Sequence, residues 1–185
     1  MENQIDTRIK QLSYSSLLTL HSCPRNYQLY KLNTPIEIPE DIPGSLTFAY
    51  GHCVGKGIQD ILEGKSWDTV LWEAFIEWEV DLLHENPRQN KSFWGALVAL
   101  KQFHSMREHG YLDGYNLVRY QDKPATELSF VIHLPDGFKY RGFVDAVLQH
   151  EISGAVMVLE VKTTNATAVN PAQYKNSAQA IGYSI

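Results

Sequence analysis

The sequence has little cysteine: Cys23 and Cys53 are the only two among 185 residues. Two thiols cannot build a disulfide framework, and a chain of this length can bury a core without one. A staple-dependent secreted scaffold is therefore excluded. Long apolar runs are missing too, with nothing near the roughly 18 consecutive apolar residues of a membrane span. The opening MENQIDTRIKQ lacks the apolar centre of a secretory signal, so a cytoplasmic protein with no membrane partner is expected. Positive charge is not in excess either. The 16 Lys and Arg against 21 Asp and Glu give a net charge of −5, which offers no global attraction to nucleic acid. Any binding of phosphate must be local, through bound cations or clustered Lys and Arg. What is present, 44% hydrophobic and 20% charged residues, is the composition of an ordinary globular chain. A single domain over 1–185 is the expectation.

Residues 1–12 read as a polar leader and 13–110 as a helical part. Ser13-Tyr14-Ser15 supplies capping residues for a first helix, which Cys23-Pro24-Arg25 should interrupt, since proline removes a donor and disfavours helix before it. The three prolines of 33–44 mark a surface loop. Leu46–Leu62 reads as a helix despite Gly51, Gly55 and Gly57, which flank His52 and would let another backbone approach. Trp67–Leu83 and Phe93–His109 are amphipathic, with a turn at Asn86-Pro87, and their Trp, Phe and Leu residues are expected in the core.

From Thr126 the period changes to two. TELSFVIHL alternates, Pro135-Asp136-Gly137 is a turn, and a partner strand follows to Gln149. After a turn at Ser153-Gly154 comes a strand over Ala155–Lys162, and Pro171 is placed to open a last helix carrying Gln179 and Tyr183 at i and i+4. The expected fold is α/β, a small, mainly antiparallel sheet flanked by helices, with a helical N-terminal half. A three-stranded meander and an unfinished helix suggest a fragment of a longer protein.

The chemistry gathers in 126–185. On a strand, Glu160 and Lys162 point the same way while Val161 turns inward. An acid and a lysine at the end of an apolar strand are costly unless used. If the neighbouring strand brings Asp145 opposite, two carboxylates and an ammonium converge. Mg²⁺ is commonly held by one or two carboxylates, waters and a substrate phosphate, so this outlines a divalent-metal site. Simpler readings stay open. A lone E-x-K is more often a surface ion pair, and a lone His52 more often a packed histidine at a helix–sheet contact. Basic residues are scattered, with Arg141 and Lys175 the nearest in sequence to the proposed site.

The set GFVD, LEVK, a preceding histidine in FAYGHCVGKGI, a following QAIGY and the N-terminal SYSSLLTLHSCPRNYQLYK resembles the RecB-like branch of the PD-(D/E)XK nuclease superfamily. That branch includes CRISPR-associated exonucleases. The likeness spans Leu12 to Tyr183 and implies a restriction-endonuclease-like core. It implies that Asp145 and Glu160 bind one or two Mg²⁺ or Mn²⁺ ions with His52 in support, and that Lys162 is catalytic. Gln179 and Tyr183 would contact nucleic acid or brace the site, with Arg141 as a phosphate contact. Glu127 is a weaker candidate, since an acid on the first strand occurs in some relatives. The expected activity is metal-dependent hydrolysis of DNA, more as an exonuclease than an endonuclease. Repair, recombination, defence or phage DNA processing are the contexts, with a helicase or recombination protein as partner. A catalytically silent binding or assembly module and an RNA-directed nuclease are the rivals. Some relatives bind an iron–sulfur cluster through a cysteine at the position of Cys23 and three later ones. Such clusters take four thiolates, so none is expected unless the chain continues, and Cys23 is expected to be a buried small residue.

Overall fold

The computed structural model describes residues 10–29, 46–78, 82, 91–164, 168–175 and 179. Tyr183, the 33–44 loop, the Asn86-Pro87 turn and most of the leader lie outside the described residues. The chain divides into two compact units. The first takes in 1–42, 129–143 and 169–185, the second 43–128 and 144–168. The architecture is mixed α/β with a small, mostly antiparallel sheet, as expected.

In the first unit β1 (Gln11–Leu12) leads into α1 (Tyr14–Ser22). The helix starts where it does because Ser13 and Ser16 cap each other. The Ser16 amide donates to Ser13 Oγ at 3.2 Å and the Ser13 amide to Ser16 Oγ at 2.7 Å. It stops at Cys23, whose extended backbone precedes the proline that opens α2 (Pro24–Tyr27). Cys23 is exposed rather than buried, a correction with a local cause. Its Sγ caps α2, accepting from the Asn26 amide at 3.4 Å, and a cap sits at the solvent-facing start of a helix.

The second unit holds the larger core. In α3 (Leu46–Leu62) the buried residues Ala49, Cys53, Val54, Ile58 and Ile61 form one stripe. It packs against Val70, Ala74 and Trp78 of and just beyond α4 (Trp67–Glu77), and against Ala96 and Leu100 of α5 (Phe93–Glu108). Ser66 and Ser92 cap α4 and α5, accepting from the amides of Thr69 at 3.3 Å and Gly95 at 3.1 Å. The close approach expected at the α3 glycines is made by a side chain. A Cβ on Gly57 would lie 2.5 Å from Leu100 Cδ2, whereas one on Gly55 would meet nothing within 4 Å. The aromatic residues of α4 and α5 were expected in the core, and Trp78 is there, 2% exposed, but Trp72 and Trp94 are 63% and 62% exposed.

The sheet is larger than a meander. Besides β5 (Thr126–His133), β6 (Lys139–His150) and β7 (Val156–Leu159), it includes β1 and β2 (Tyr115–Leu117). β1 runs parallel to the start of β6, with Gln11 opposite Lys139. β2 and β7 run antiparallel to its end, with Leu117 opposite Leu148 and Ala146 opposite Leu159. A separate hairpin joins β3 (Arg119–Tyr120) to β4 (Lys123–Pro124), and its two loop residues, Gln121 and Asp122, have φ of 49° and 62°. Positive φ at both is the type I′ turn that suits strand twist. The strand expected over Ala155–Lys162 is shorter because the ladder ends at Leu159. Beyond it the Val161 amide donates to the Asp145 carboxylate instead of to a backbone carbonyl. A short helix, α6 (Ala172–Lys175), follows Pro171, and Gln179 is again helical. Among the described residues no helix is long and apolar enough to cross a membrane.

Candidate active site

Within the second unit, α3, the end of α4, the start of β5, the middle of β6 and the segment after β7 border a cavity of 560 Å³. Helical spacing supplies one wall. His52, Lys56 and Gln59 follow at i, i+4 and i+7 along α3, with Gly51 and Gly55 leaving room between them. β6 contributes Asp145, the segment after β7 contributes Lys162, and β5 contributes Glu127. Four of the residues singled out in the sequence are therefore brought together: His52, Glu127, Asp145 and Lys162.

Asp145 is half-buried, and its Oδ2 accepts from the Val161 amide at 2.6 Å. A charge-assisted bond to a backbone amide fixes a carboxylate firmly, here at the cavity wall. Extending the β6–β7 register by one residue places Asp145 across from Glu160. Glu160 is not among the residues lining the cavity. It accepts from Lys162 Nζ, and the two side chains are 23% and 45% exposed. Between them Val161 packs against the helical core, as strand alternation requires. His52 is exposed along the cavity wall, so the reading of a packed histidine does not hold.

Glu127 stands out by its backbone. Its φ is 48°, a left-handed conformation rare for a side chain of this kind, and it sits inside a strand. The neighbouring contacts explain how it is held. Ala125 is buried, with its amide donating to Val118 O at 2.8 Å and its carbonyl accepting from the Val147 amide at 2.9 Å. Thr126 Oγ1 donates to Glu63 Oε1 at 2.7 Å, and Gln59 Nε2 lies 3.4 Å from Glu127 Oε1. Nothing in the sequence pattern marks this kink.

A second acid–lysine grouping lies beside the cavity and was not singled out from the sequence. Asp60 is fully buried, and its Oδ1 accepts from Lys56 Nζ and from Lys65 Nζ, the latter at 2.7 Å. Glu73 accepts from the same lysines at 2.9 and 3.1 Å. Hydrogen bonds from Lys56 and then Lys65 hold the Glu73 carboxyl down at about 2. Lys65 is pushed above its ordinary range, chiefly by its bond to Asp60. Burial works against the charge on Lys56, but its bonds to Asp60 and Glu73 outweigh that and raise it as well. The i, i+4 spacing of Lys56 and Asp60 was readable, whereas the link to Lys65 and Glu73 needs the packing of α4 on α3.

These ion pairs bear on what the cavity can hold. Lys56 is committed to Asp60 and Glu73, and Lys162 to Glu160. Among the described residues, Asp145, Glu127 and Glu77 have no cationic partner. Three carboxylates bordering one cavity without a counter-charge, beside an imidazole, suit a hard divalent cation. Among the described residues no three His, Cys, Asp or Glu side chains form a ready-made cage for such an ion. Cys53 offers no nucleophile. Burial, reinforced by the charge of Glu77, pushes its thiol up to about 12, and its Sγ–H donates to Ala74 O at 3.5 Å.

Gln179 and Arg141 line a different cavity. It has 290 Å³, belongs to the first unit, and is bordered also by Ser13, Tyr14, Tyr140 and Phe143. Of the sequence candidates, Cys23 takes the capping role already described, and Tyr183 lies outside the described residues.

A family model of the PD-(D/E)XK nuclease superfamily matches residues 11–185. No curated protein matches the chain. The match takes in every strand of the sheet and every element that lines the 560 Å³ cavity, so the likeness does not rest on short motifs. From β1 onward, the chain belongs to the PD-(D/E)XK nuclease superfamily.

Proposed function

We propose that the chain is a DNA nuclease of the RecB-like branch, using Mg²⁺ or Mn²⁺ and acting as an exonuclease. The supporting observation is the cavity that gathers His52, Glu127, Asp145 and Lys162, with its lysines already committed and three carboxylates, Glu77 among them, left without a counter-charge. In this reading Asp145 and Glu160 hold the cation with His52 in support. When bound, the ion would lower the pKa of a water and offset charge on the scissile phosphate. Asp145 borders the cavity and is kept in place by the Val161 amide, so it can meet a ligand there without reorganisation. Lys162 presents an ammonium that can orient the attacking water or donate to a non-bridging phosphate oxygen, while Glu160 fixes where that ammonium sits. Arg141, Gln179 and Tyr183 would contact the nucleic acid or brace the site. Repair, recombination, defence or phage DNA processing suits such an activity, as does a helicase or recombination partner.

The test is Mn²⁺ titration by calorimetry, run on the wild type and on Asp145→Ala with Glu160→Ala, in the absence and presence of a short DNA. Heat that disappears in the double variant, together with Mn²⁺-dependent shortening of end-labelled linear DNA, supports the reading. A wild type that takes up no Mn²⁺ under either condition, or that degrades RNA but leaves DNA intact, sinks it.

A further inference from the structure

The outer face of α4 and α5 is apolar where a surface helix is ordinarily polar. Trp72 and Ile76 on α4 are 63% and 64% exposed, and Trp94 and Val98 on α5 are 62% and 57% exposed. Exposed apolar side chains on neighbouring helices in this number are the kind of surface a partner covers. The two helices lie side by side and antiparallel. The rings of Trp67 and His104 are 4.9 Å apart at one end, and those of Trp78 and Phe93 are 5.5 Å apart at the other.

Helical spacing arranges this face into two rows. On α4 the row is Asp68, Trp72, Ile76. On α5, read from the same end of the pair, it is Lys101, Val98, Trp94. Each row opens with one charge and continues apolar, and the two charges are opposite. Both are exposed, and neither makes an ion pair among the described residues.

The match between the rows identifies the occupant. Turn a second copy by 180° about an axis running along the helix pair, and α4 of each copy lies on α5 of the other. Asp68 then faces Lys101 of the second copy, Trp72 faces its Val98, and Ile76 faces its Trp94. The symmetry repeats all three contacts. A two-fold interface must be self-complementary, and these rows are. A nucleic-acid strand stacking on the tryptophans would call for a basic rim, against which Asp68 counts. We propose that the α4–α5 face is the interface of a homodimer, sealed by reciprocal Asp68–Lys101 pairs at its rim.

The proposal is tested by sedimentation of the full chain from low to high micromolar concentration. The wild type should dimerise, and Asp68→Lys and Lys101→Asp should each weaken the dimer about tenfold or more, because each sets like charges together twice. An equimolar mixture of the two variants should recover the association, since a mixed dimer restores both pairs. Melting curves confirm that each variant is folded. Should one of them fold poorly, Trp72→Ser must weaken the dimer while its far-ultraviolet circular dichroism stays that of the wild type. A wild type that stays monomeric throughout overturns the proposal. So does a dimer that the reversals leave intact, or a mixture that associates no better than either variant alone.

Discussion

Two groupings of acids and lysines border α3, and they differ in closure. In the first, Lys56 and Lys65 are shared between Asp60 and Glu73, so each acid meets both ammonium groups. In the second, the cavity, Lys162 is bound to Glu160, and Asp145 and Glu127 face the same space without a cation among the described residues. Lys56 borders both, but its ammonium belongs to the first. Residue types alone do not separate a structural ion network from a site that awaits a ligand. The deficit of positive charge does.

The two groupings should part most clearly at Asp60. Replacing it with alanine empties a fully buried position and leaves Lys56 and Lys65, each about a third exposed, to Glu73 and, for Lys65, to Glu63 at 3.8 Å. Breaking a fully buried pair costs about 3–5 kcal/mol, and because these lysines keep an acid and reach solvent, about 2 kcal/mol is expected. A shift of the urea midpoint measures this, and Mn²⁺ uptake by the folded variant should be unchanged. Lys162→Ala should do the reverse. Cleavage of DNA should fall about 10²–10³-fold, the loss typical of one preorganised charged or hydrogen-bonding group. Stability should stay within about 0.5 kcal/mol of wild type, because Lys162 is a surface pair partner. Comparable losses of both quantities in both variants would mean that the two groupings are one network.

How far these groupings were legible depended on which interactions are local. α3 was read over Leu46–Leu62, as observed, because its apolar stripe has one period throughout. The pairing of β6 and β7 followed from alternation and a turn, and with it the approach of Asp145 to Glu160. The two-residue β1, the hairpin β3–β4 and the pairing of β2 were missed, because strands this short carry no periodicity. Trp72 and Trp94 show a different gap. Their spacing tells which residues share a helix face, but not whether another element covers that face. The φ of Glu127 was invisible because it is imposed by contacts of 125–127 with Val118, Val147, Gln59 and Glu63.

A finer separation comes from pH. Glu73 titrates at about 2 when folded against 4.5 in the ordinary carboxyl, so between those values the unfolded chain binds more protons. The stabilisation from Glu73 is therefore complete above about pH 5 and is lost as pH falls toward about 2. Glu73→Gln should melt below wild type at neutral pH, by an amount worth about 1 kcal/mol once its partial exposure is discounted. The difference should close as the acid limb is descended. A gap that persists to pH 2 would place the role of Glu73 in packing rather than in charge.

The smallest effect is expected at Glu127, and its sign is the informative part. Holding a non-glycine residue in the left-handed region costs about 1–3 kcal/mol, and Glu127 receives in return one long hydrogen bond from Gln59. Glycine removes that cost, but it also enlarges the freedom of the unfolded chain, which takes back about 0.4–1 kcal/mol. Glu127→Gly should therefore raise metal-free stability slightly, by about 0.5 kcal/mol. Removing an acid from the Asp60–Glu73 grouping lowers stability, whereas removing this one should not. A side chain kept against the preference of its backbone points to a use outside folding, and the cavity it faces is where that use would lie. A melting temperature that falls clearly in Glu127→Gly would show that the carboxylate stabilises the fold after all, and the two groupings would then differ only in degree.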